Sequence, residues 1–257
     1  ESEDNPLPPY TTDALQNDAD YLLGFSPERT MELAQELYQG VQLQEGEDGE
    51  GEGGGSQALI TYMRTDSTRV SPSALNQARE TFTNRDDLDP SEYRGRTWQI
   101  DSGAQDAHEA IRPTHPEEPD LWPENLDGRI DPSLLELYRL IYRRFLASQM
   151  VPAVYRTTEL RLTAGPYTAR ATGNELQEPG FLRVWRDVRP DHGREELDVP
   201  TLEVGAELPV ERAWPEPQET RPPPRYREGS LVSELKERGI GRPSTYGDIL
   251  TKIKRGP

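Results

Sequence analysis

The chain has 257 residues, 32% of them hydrophobic, with 24 prolines, 21 glycines, no cysteine and a formal net charge of −18 from 47 acidic against 29 basic residues. That length accommodates one large or two small domains with a real core, while the low apolar fraction and the prolines imply long polar connections. Without cysteine there is no disulfide, thiol catalysis or Cys-ligated zinc; no apolar run reaches membrane-spanning length, and the charge by itself opposes nucleic-acid binding.

The opening "ESEDNPLPPY" has no initiating Met and no signal-peptide pattern, and reads as the start of a piece cut from something longer. From residue 10 to about 151 the patterns are mainly helical. In "SPERTMELAQELYQG", Ser26 is placed as N-cap, Pro27 at the first helical position and Gly40 as terminator. Met31, Ala34, Leu37 and Tyr38 are expected on one apolar face. The Gly/Glu tract "EGEDGEGEGGGS" cannot pack and is expected to be a mobile insertion, taken with its flanks as residues 41–57.

Next comes "GSQALITYMRTDSTRV", in which Tyr62 follows an apolar run and Arg64 stands two residues on. Two readings are open. Tyr62 is a core aromatic whose hydroxyl finds a partner, or it is a nucleophile aimed at a phosphate, a rare use of tyrosine. "SPSALNQARETF" repeats the cap device with Ser71 and Pro72, and puts Leu75, Ala78 and Phe82 on one side. In "DAHEAIRPTHP" a zinc-protease HExxH fails because Arg112 occupies the second His position. His108 and Arg112 remain, spaced i,i+4 as for one face of a short helical turn, although Pro113 pushes Arg112 towards an extended backbone. An imidazole and a guanidinium held together suit a phosphodiester; the plain alternative is a surface loop with Arg112 paired to Asp106 or Glu109. "DPSLLELYRLIYRRFLASQM" is the strongest helix signal, running from Asp131 and Pro132 to a stop before Pro152.

Residues 152 to 224 change period. "AVYRTTELRLT" and "YTARATG" alternate as strands, and short apolar runs at 181–185, 197–202 and 208–210 are expected to complete a small antiparallel sheet. "AWPEPQETRPPPRY" then reads as a stiff linker. The last stretch, "EGSLVSELKERGIGRPSTYGDILTKIKR", reads as helix, turn, helix: Leu231, Val232 and Leu235 face inwards, Gly239 ends the first helix, and Ser244 or Thr245 caps the second, with Tyr246, Ile249, Leu250 and Ile253 on its apolar face. Arg242 stands just ahead of that helix N-terminus, where free N–H groups favour an anion, or else lies in solvent beside an ordinary cap. Of the 29 basic residues only Lys236, Lys252 and Lys254 are lysines, leaving 26 arginines, whose planar fork suits phosphate. An acid-rich, lysine-poor surface also suits a protein that works in concentrated salt. There is no P-loop, nucleophile elbow, dinucleotide fingerprint or EF-hand.

Taken together and in this order, "LITYMRTDST", "AHEAIRPT" and "SLVSELKERGIGRPSTY" resemble the type IA DNA topoisomerases, and among them the bacterial topoisomerase I branch, to which the Met after the tyrosine and the Glu-Ala-Ile-Arg-Pro run are similar. The resemblance covers nearly the whole chain apart from the acidic insertion. It implies an enzyme that cuts one strand through a 5′-phosphotyrosine, passes another strand and reseals, relaxing negatively supercoiled DNA without ATP. By the match Tyr62 is the nucleophile, Arg64 neutralises the scissile phosphate, His108 bonds the phosphate or sugar, and Arg112 holds the DNA backbone or orders its loop. Arg242, Ser244 and Thr245, with Asp66, are implied at the DNA. The family's Mg²⁺ is held by a Toprim domain with a D-x-D-x-E cluster; "DDLDPSE" offers Asp87 and Asp89 but has Ser91 where the last acid belongs, so no metal ligand is expected within this chain.

The fold class expected is therefore α+β and multidomain: a helical gate domain carrying the tyrosine over residues 1–151, a small antiparallel β arch segment with a Pro-rich linker over 152–224, and the first two helices of a helical DNA-binding domain over 225–257. The implied partners are single-stranded and negatively supercoiled DNA and the remaining domains of the same enzyme. A monomer, cytoplasmic and nucleoid-associated, with no membrane contact, completes the expectation. The fragment alone is expected to be inactive, and the alternative is a single-stranded-DNA or partner-binding module that has lost catalysis.

Overall fold

The computed structural model describes residues 1–44, 56–98, 108–189, 193–196, 199–200 and 202–255. Among these the chain is α+β, with seven α-helices and two small antiparallel sheets. Strand β1 (Ser2–Asp4) leads to helices α1 (Thr12–Leu22) and α2 (Pro27–Gln39), then to the short pair β2 (Val41–Gln42) and β3 (Ser56–Gln57). Helices α3 (Pro72–Asn84) and α4 (Pro132–Ser148) follow, separated by loops and short 3₁₀ turns. A hairpin of β4 (Ala153–Ala164) and β5 (Tyr167–Glu178), the single turn α5 (Leu182–Trp185), and helices α6 (Glu228–Glu237) and α7 (Tyr246–Arg255) complete the order.

Three helices begin as their sequences dictate. The Ser26 hydroxyl accepts from the Arg29 N–H at 3.2 Å, that of Ser71 from the Ala74 N–H at 3.3 Å, and the Asp131 carboxylate from the Ser133 N–H at 2.8 Å. Each cap is followed by a proline whose missing N–H costs nothing there. Gly40 closes α2 with φ +114°, a value that residues bearing a Cβ rarely adopt. Helix α4 is buried on most of its circumference, through Leu134, Leu137, Tyr138, Ile141 and Phe145. It forms the axis of the core, packed by α2 and α5, and each large side chain buried there contributes about 1.5–3 kcal/mol.

Several expectations need correction. The inward face of α2 is Thr30, Leu33, Ala34 and Leu37, whereas Tyr38 lies on the surface. The run 181–185 is helical, because Gly180 (φ +47°) turns the chain so tightly beneath Pro152 that a Cβ there would sit 2.2 Å from the Pro152 carbonyl. Residues 208–210 form no strand; Leu208 and Val210 are exposed in chain without regular structure. Within the run 197–202 only 199, 200 and 202 are described, and none is in a strand. The third strand comes instead from the N-terminus: β1 pairs with the start of β4, Ser2 opposite Tyr155 and Asp4 opposite Ala153, giving the order β1-β4-β5. The flanks of the stretch expected to be mobile over 41–57 are paired, Val41 with Gln57 and Gln42 with Ser56; residues 45–55 lie outside the described part.

A charged node ties the N-terminus to the core. Asp18 of α1 accepts hydrogen bonds from the Tyr10 hydroxyl (2.8 Å), Arg144 Nη1 (3.3 Å) and Arg189 Nη1 (3.2 Å). The Arg144 guanidinium also donates to the Pro8 carbonyl and lies over the rings of Tyr10 and Trp185. Burial first, and then the Asp18 charge, push the Tyr10 hydroxyl well above its ordinary pKa, so it stays a donor.

The last two helices share a small apolar cluster of Val232, Tyr246 and Leu250. Helix α6 lies directly on α1. Gly229 packs so closely that a Cβ would come within 2.8 Å of Asn17 Cα and 2.9 Å of the Gln16 carbonyl oxygen, and Lys236 pairs with Asp13 at 2.9 Å.

Candidate active site

The chain is bridged at Ile60 and bends at Thr61 and again at Met63, and from 62 to 65 exposed and buried side chains alternate. Ile60, Met63 and Thr65 are buried, while Tyr62 and Arg64 both reach the surface. The segment is gripped from two sides. Upstream, the Leu59 carbonyl accepts from the Thr114 N–H (3.0 Å), and the Thr61 N–H donates to the Arg112 carbonyl (2.9 Å). The Thr61 hydroxyl donates to the Ala110 carbonyl (2.8 Å) and accepts from the Arg112 N–H (3.0 Å). Downstream, the first residue of α1 acts as a clamp: the Thr12 hydroxyl lies 2.7 Å from the Met63 carbonyl and accepts from the Thr65 N–H at 2.9 Å, while the Thr12 N–H donates to the Thr65 carbonyl. Tyr62 and Arg64 thus project from a backbone fixed before and after them.

The Tyr62 ring is 36% exposed and stands between two others, Tyr38 edge-on at 5.5 Å and His108 tilted at 5.3 Å between centroids. Such contacts fix the ring's direction while leaving one flank in solvent. Of the expected residues, His108 is therefore brought to Tyr62. No helical turn forms, however. Residues 108–112 run extended, with Ile111 bridged to Tyr10, as the Pro113 restriction on its predecessor favours. Arg112, 9% exposed, bends into the body, where Nε donates to Glu109 at 2.7 Å and Nη1 to the Pro113 carbonyl at 2.9 Å. Glu109 is thus its partner; Asp106 lies outside the described residues.

Arg64 lines an open cleft of about 390 Å³ with Gln16 of α1, Glu28 and Glu32 of α2, and Ser244 and Asp248 from α7 and the turn before it. Arg64 and Ser244, far apart in sequence, thus share one wall system. Arg242 and Thr245 are both exposed in the same turn. The Thr245 hydroxyl accepts from the Arg242 N–H at 2.8 Å, turning back on the loop rather than forward into the helix. Asp66 lies close enough for its charge to act on the Tyr246 hydroxyl, which is pushed from an ordinary 10.0 up to about 12, by burial first and then by Asp13.

Two contributors escaped the sequence reading. Tyr38 was assigned to the core because its spacing from Ala34 and Leu37 fits a helical face, and Thr12 carries no motif. Its place in the last turn of α2, two residues before the Gly40 terminator, was the one available sign that Tyr38 could overhang the end of the helix.

Comparison with known proteins gives one consistent result. The family model described as DNA topoisomerase matches residues 1–256. The chain is 39% identical over 267 residues to DNA topoisomerase 1 of Xylella fastidiosa, in strains Temecula1 and 9a5c alike, an alignment covering 98% of this chain and 30% of each relative. It superposes on full-length topoisomerase I from Thermotoga maritima with a TM-score of 0.75 at 37% identity, over 97% of this chain and 38% of that one. The chain thus spans about a third of the length of these proteins.

Proposed function

The chain belongs to the type IA DNA topoisomerase family, and on that footing we propose that it supplies the tyrosine side of a strand-cleaving site, with Tyr62 as nucleophile. The observation that carries this reading is the exposure of both Tyr62 and Arg64 from a clamped segment, with His108 against the tyrosine ring. Attack of the Tyr62 oxygen on a phosphodiester forms a P–O bond to the ring and breaks the bond to the 3′ oxygen of the neighbouring nucleotide. That oxygen leaves with a proton equivalent to the one the phenol loses, and resealing is the reverse. The exchange of one phosphodiester for another keeps the bond energy, so no nucleotide hydrolysis is needed.

Arg64 neutralises the scissile phosphate and the charge that grows on it in the transition state, a task its five fixed donors suit. His108 donates to the phosphate or sugar beside the ring. Arg112, already spent on Glu109 and Pro113, acts by ordering the loop that pairs with Thr61. Arg242, Ser244, Thr245 and Asp66 line the approach of the single strand. In this reading 1–151 is the gate, 152–224 the arch segment and 225–257 the start of a DNA-binding domain; with the enzyme's remaining domains they act as a monomer that relaxes negatively supercoiled DNA.

Mg²⁺ belongs to the family's Toprim domain, where it would steady phosphate charge. The one His/carboxylate group among the described residues close enough to share an ion is His115, Glu117 and Glu118, which mixes imidazole with oxygen rather than giving the all-oxygen set Mg²⁺ demands. It does not fit that ion, and no step here runs through it. The 257 residues alone are accordingly expected not to relax DNA.

The test mixes this chain with Mg²⁺, a labelled single-stranded oligonucleotide and a separately made Toprim-containing fragment of a relative, followed by denaturation. A covalent adduct is expected, absent in Tyr62→Phe and reduced about 10²-fold in Arg64→Ala, the scale on which one transition-state charge contact acts. No adduct from fragments shown to associate, with single-strand binding intact, would favour the binding-module reading.

A further inference from the structure

Beyond the tyrosine site, the turn that follows the segment bonded to Ile60 and Thr61 gathers a second set of chemically matched groups. His115 Nδ1 lies 3.5 Å from an oxygen of Glu117 and 3.6 Å from an oxygen of Glu118, and the three ligand atoms all fall within 4.8 Å of one another. A tetrahedral ion with bonds of 2.0–2.2 Å holds neighbouring ligand atoms about 3.3–3.6 Å apart. Two of the three edges already have that length, and Glu118, largely solvent-exposed, has room to close the third. We propose that His115, Glu117 and Glu118 form a binding site for one borderline divalent transition-metal ion of the Zn²⁺ class, with water completing its coordination.

The turn is built to hold its ligands still. Pro116, between two of them, has a fixed φ, and its carbonyl accepts from both the buried Tyr142 hydroxyl (2.9 Å) and Trp122 Nε1 (3.0 Å). One residue upstream, Thr114 is bonded to the Leu59 and Ala58 carbonyls. Gln77 Nε2 donates to both the Thr114 carbonyl and Glu117 Oε1, the outer-shell contact that orients a ligating carboxylate. A separate observation points the same way: Glu117 Oε2 is buried and has no hydrogen-bond partner among the described residues. Such an oxygen is costly to leave uncompensated, and the charge of a cation held on the other oxygen of the same carboxylate offsets that cost. An imidazole among the carboxylates favours Zn²⁺ or Ni²⁺ over the hard ions. The rival account is a plain ion pair between protonated His115 and the two glutamates, which needs no metal.

Metal-free protein titrated with Zn²⁺ by calorimetry, and with Co²⁺ by visible absorption, separates the two. One ion per chain is expected, with a tetrahedral Co²⁺ spectrum. His115→Ala and Glu118→Gln should each weaken binding more than about tenfold. The melting temperature of metal-free Glu118→Gln should match the parent, since that side chain is on the surface. Absence of saturable binding, or one-to-one binding that both substitutions leave intact, overturns the proposal.

Discussion

Asp18 is only 5% exposed and is surrounded by three donors, so its worth is judged by what removing it would strand. The Arg144 guanidinium would keep its bond to the Pro8 carbonyl and its two aromatic neighbours, but would lose its buried counter-charge. Breaking one side of a buried ion pair costs about 3–5 kcal/mol, well above the 0–1 kcal/mol of a surface pair such as Arg29–Glu32. Asp18→Ala is therefore expected to lower unfolding stability by that larger amount in urea titration, while Glu32→Ala leaves it nearly unchanged. Tyr246 gives a prediction in pH. Its hydroxyl holds its proton more tightly folded than unfolded, the folded value being about 12 against an ordinary 10.0. The resulting stability is fully present below pH 10 and is lost as pH rises through about 12. Stability of the parent should fall over that window more steeply than that of Tyr246→Phe, followed by circular dichroism.

Helices α1 and α6 meet at backbone distance, and Gly229 is the reason. Alanine at this position gains at most about 1 kcal/mol in helix propensity. The added methyl meets main-chain atoms of Asn17 and Gln16, which cannot swing aside, and such overpacking costs about 1–3 kcal/mol. Gly229→Ala should thus loosen α6 from α1, seen as faster hydrogen exchange in residues 228–237 with α4 unchanged. The helix starts were legible because the signal is local: a side-chain oxygen, a proline and an apolar period lie within five residues of one another. The extended backbone at Arg112 was legible through Pro113, which restricts the residue before it. Contacts between distant segments were not legible. Nothing near Thr12 announces that its hydroxyl meets residue 65, and nothing near Ser2 announces a partner at Tyr155. The run 181–185 was misread because a short, mainly apolar run fits a strand or a helical turn equally well, and Gly180 decided between them through a contact with Pro152.

Across the whole molecule, 47 acidic side chains against 29 basic ones give a self-repelling surface. The Debye length falls from about 10 Å at 0.1 M salt to about 3 Å at 1 M, so added salt relieves that repulsion while leaving the buried Asp18 node almost untouched. The melting temperature is expected to rise from 0.1 M to molar NaCl; a fall would mean that exposed ion pairs such as Arg183–Glu92 outweigh the net charge. One helix has a place in this molecule larger than its eleven residues. The first residue of α1 grips the main chain around Arg64, and its middle, at Gln16, Asn17 and Asp20, bears the weight of α6. At 1.5 Å of rise per residue these two fastenings are roughly 6–12 Å apart on one stiff rod. A tilt imposed on α6 is therefore delivered to the tyrosine segment as through a short crank, with no loop between them to absorb the stroke.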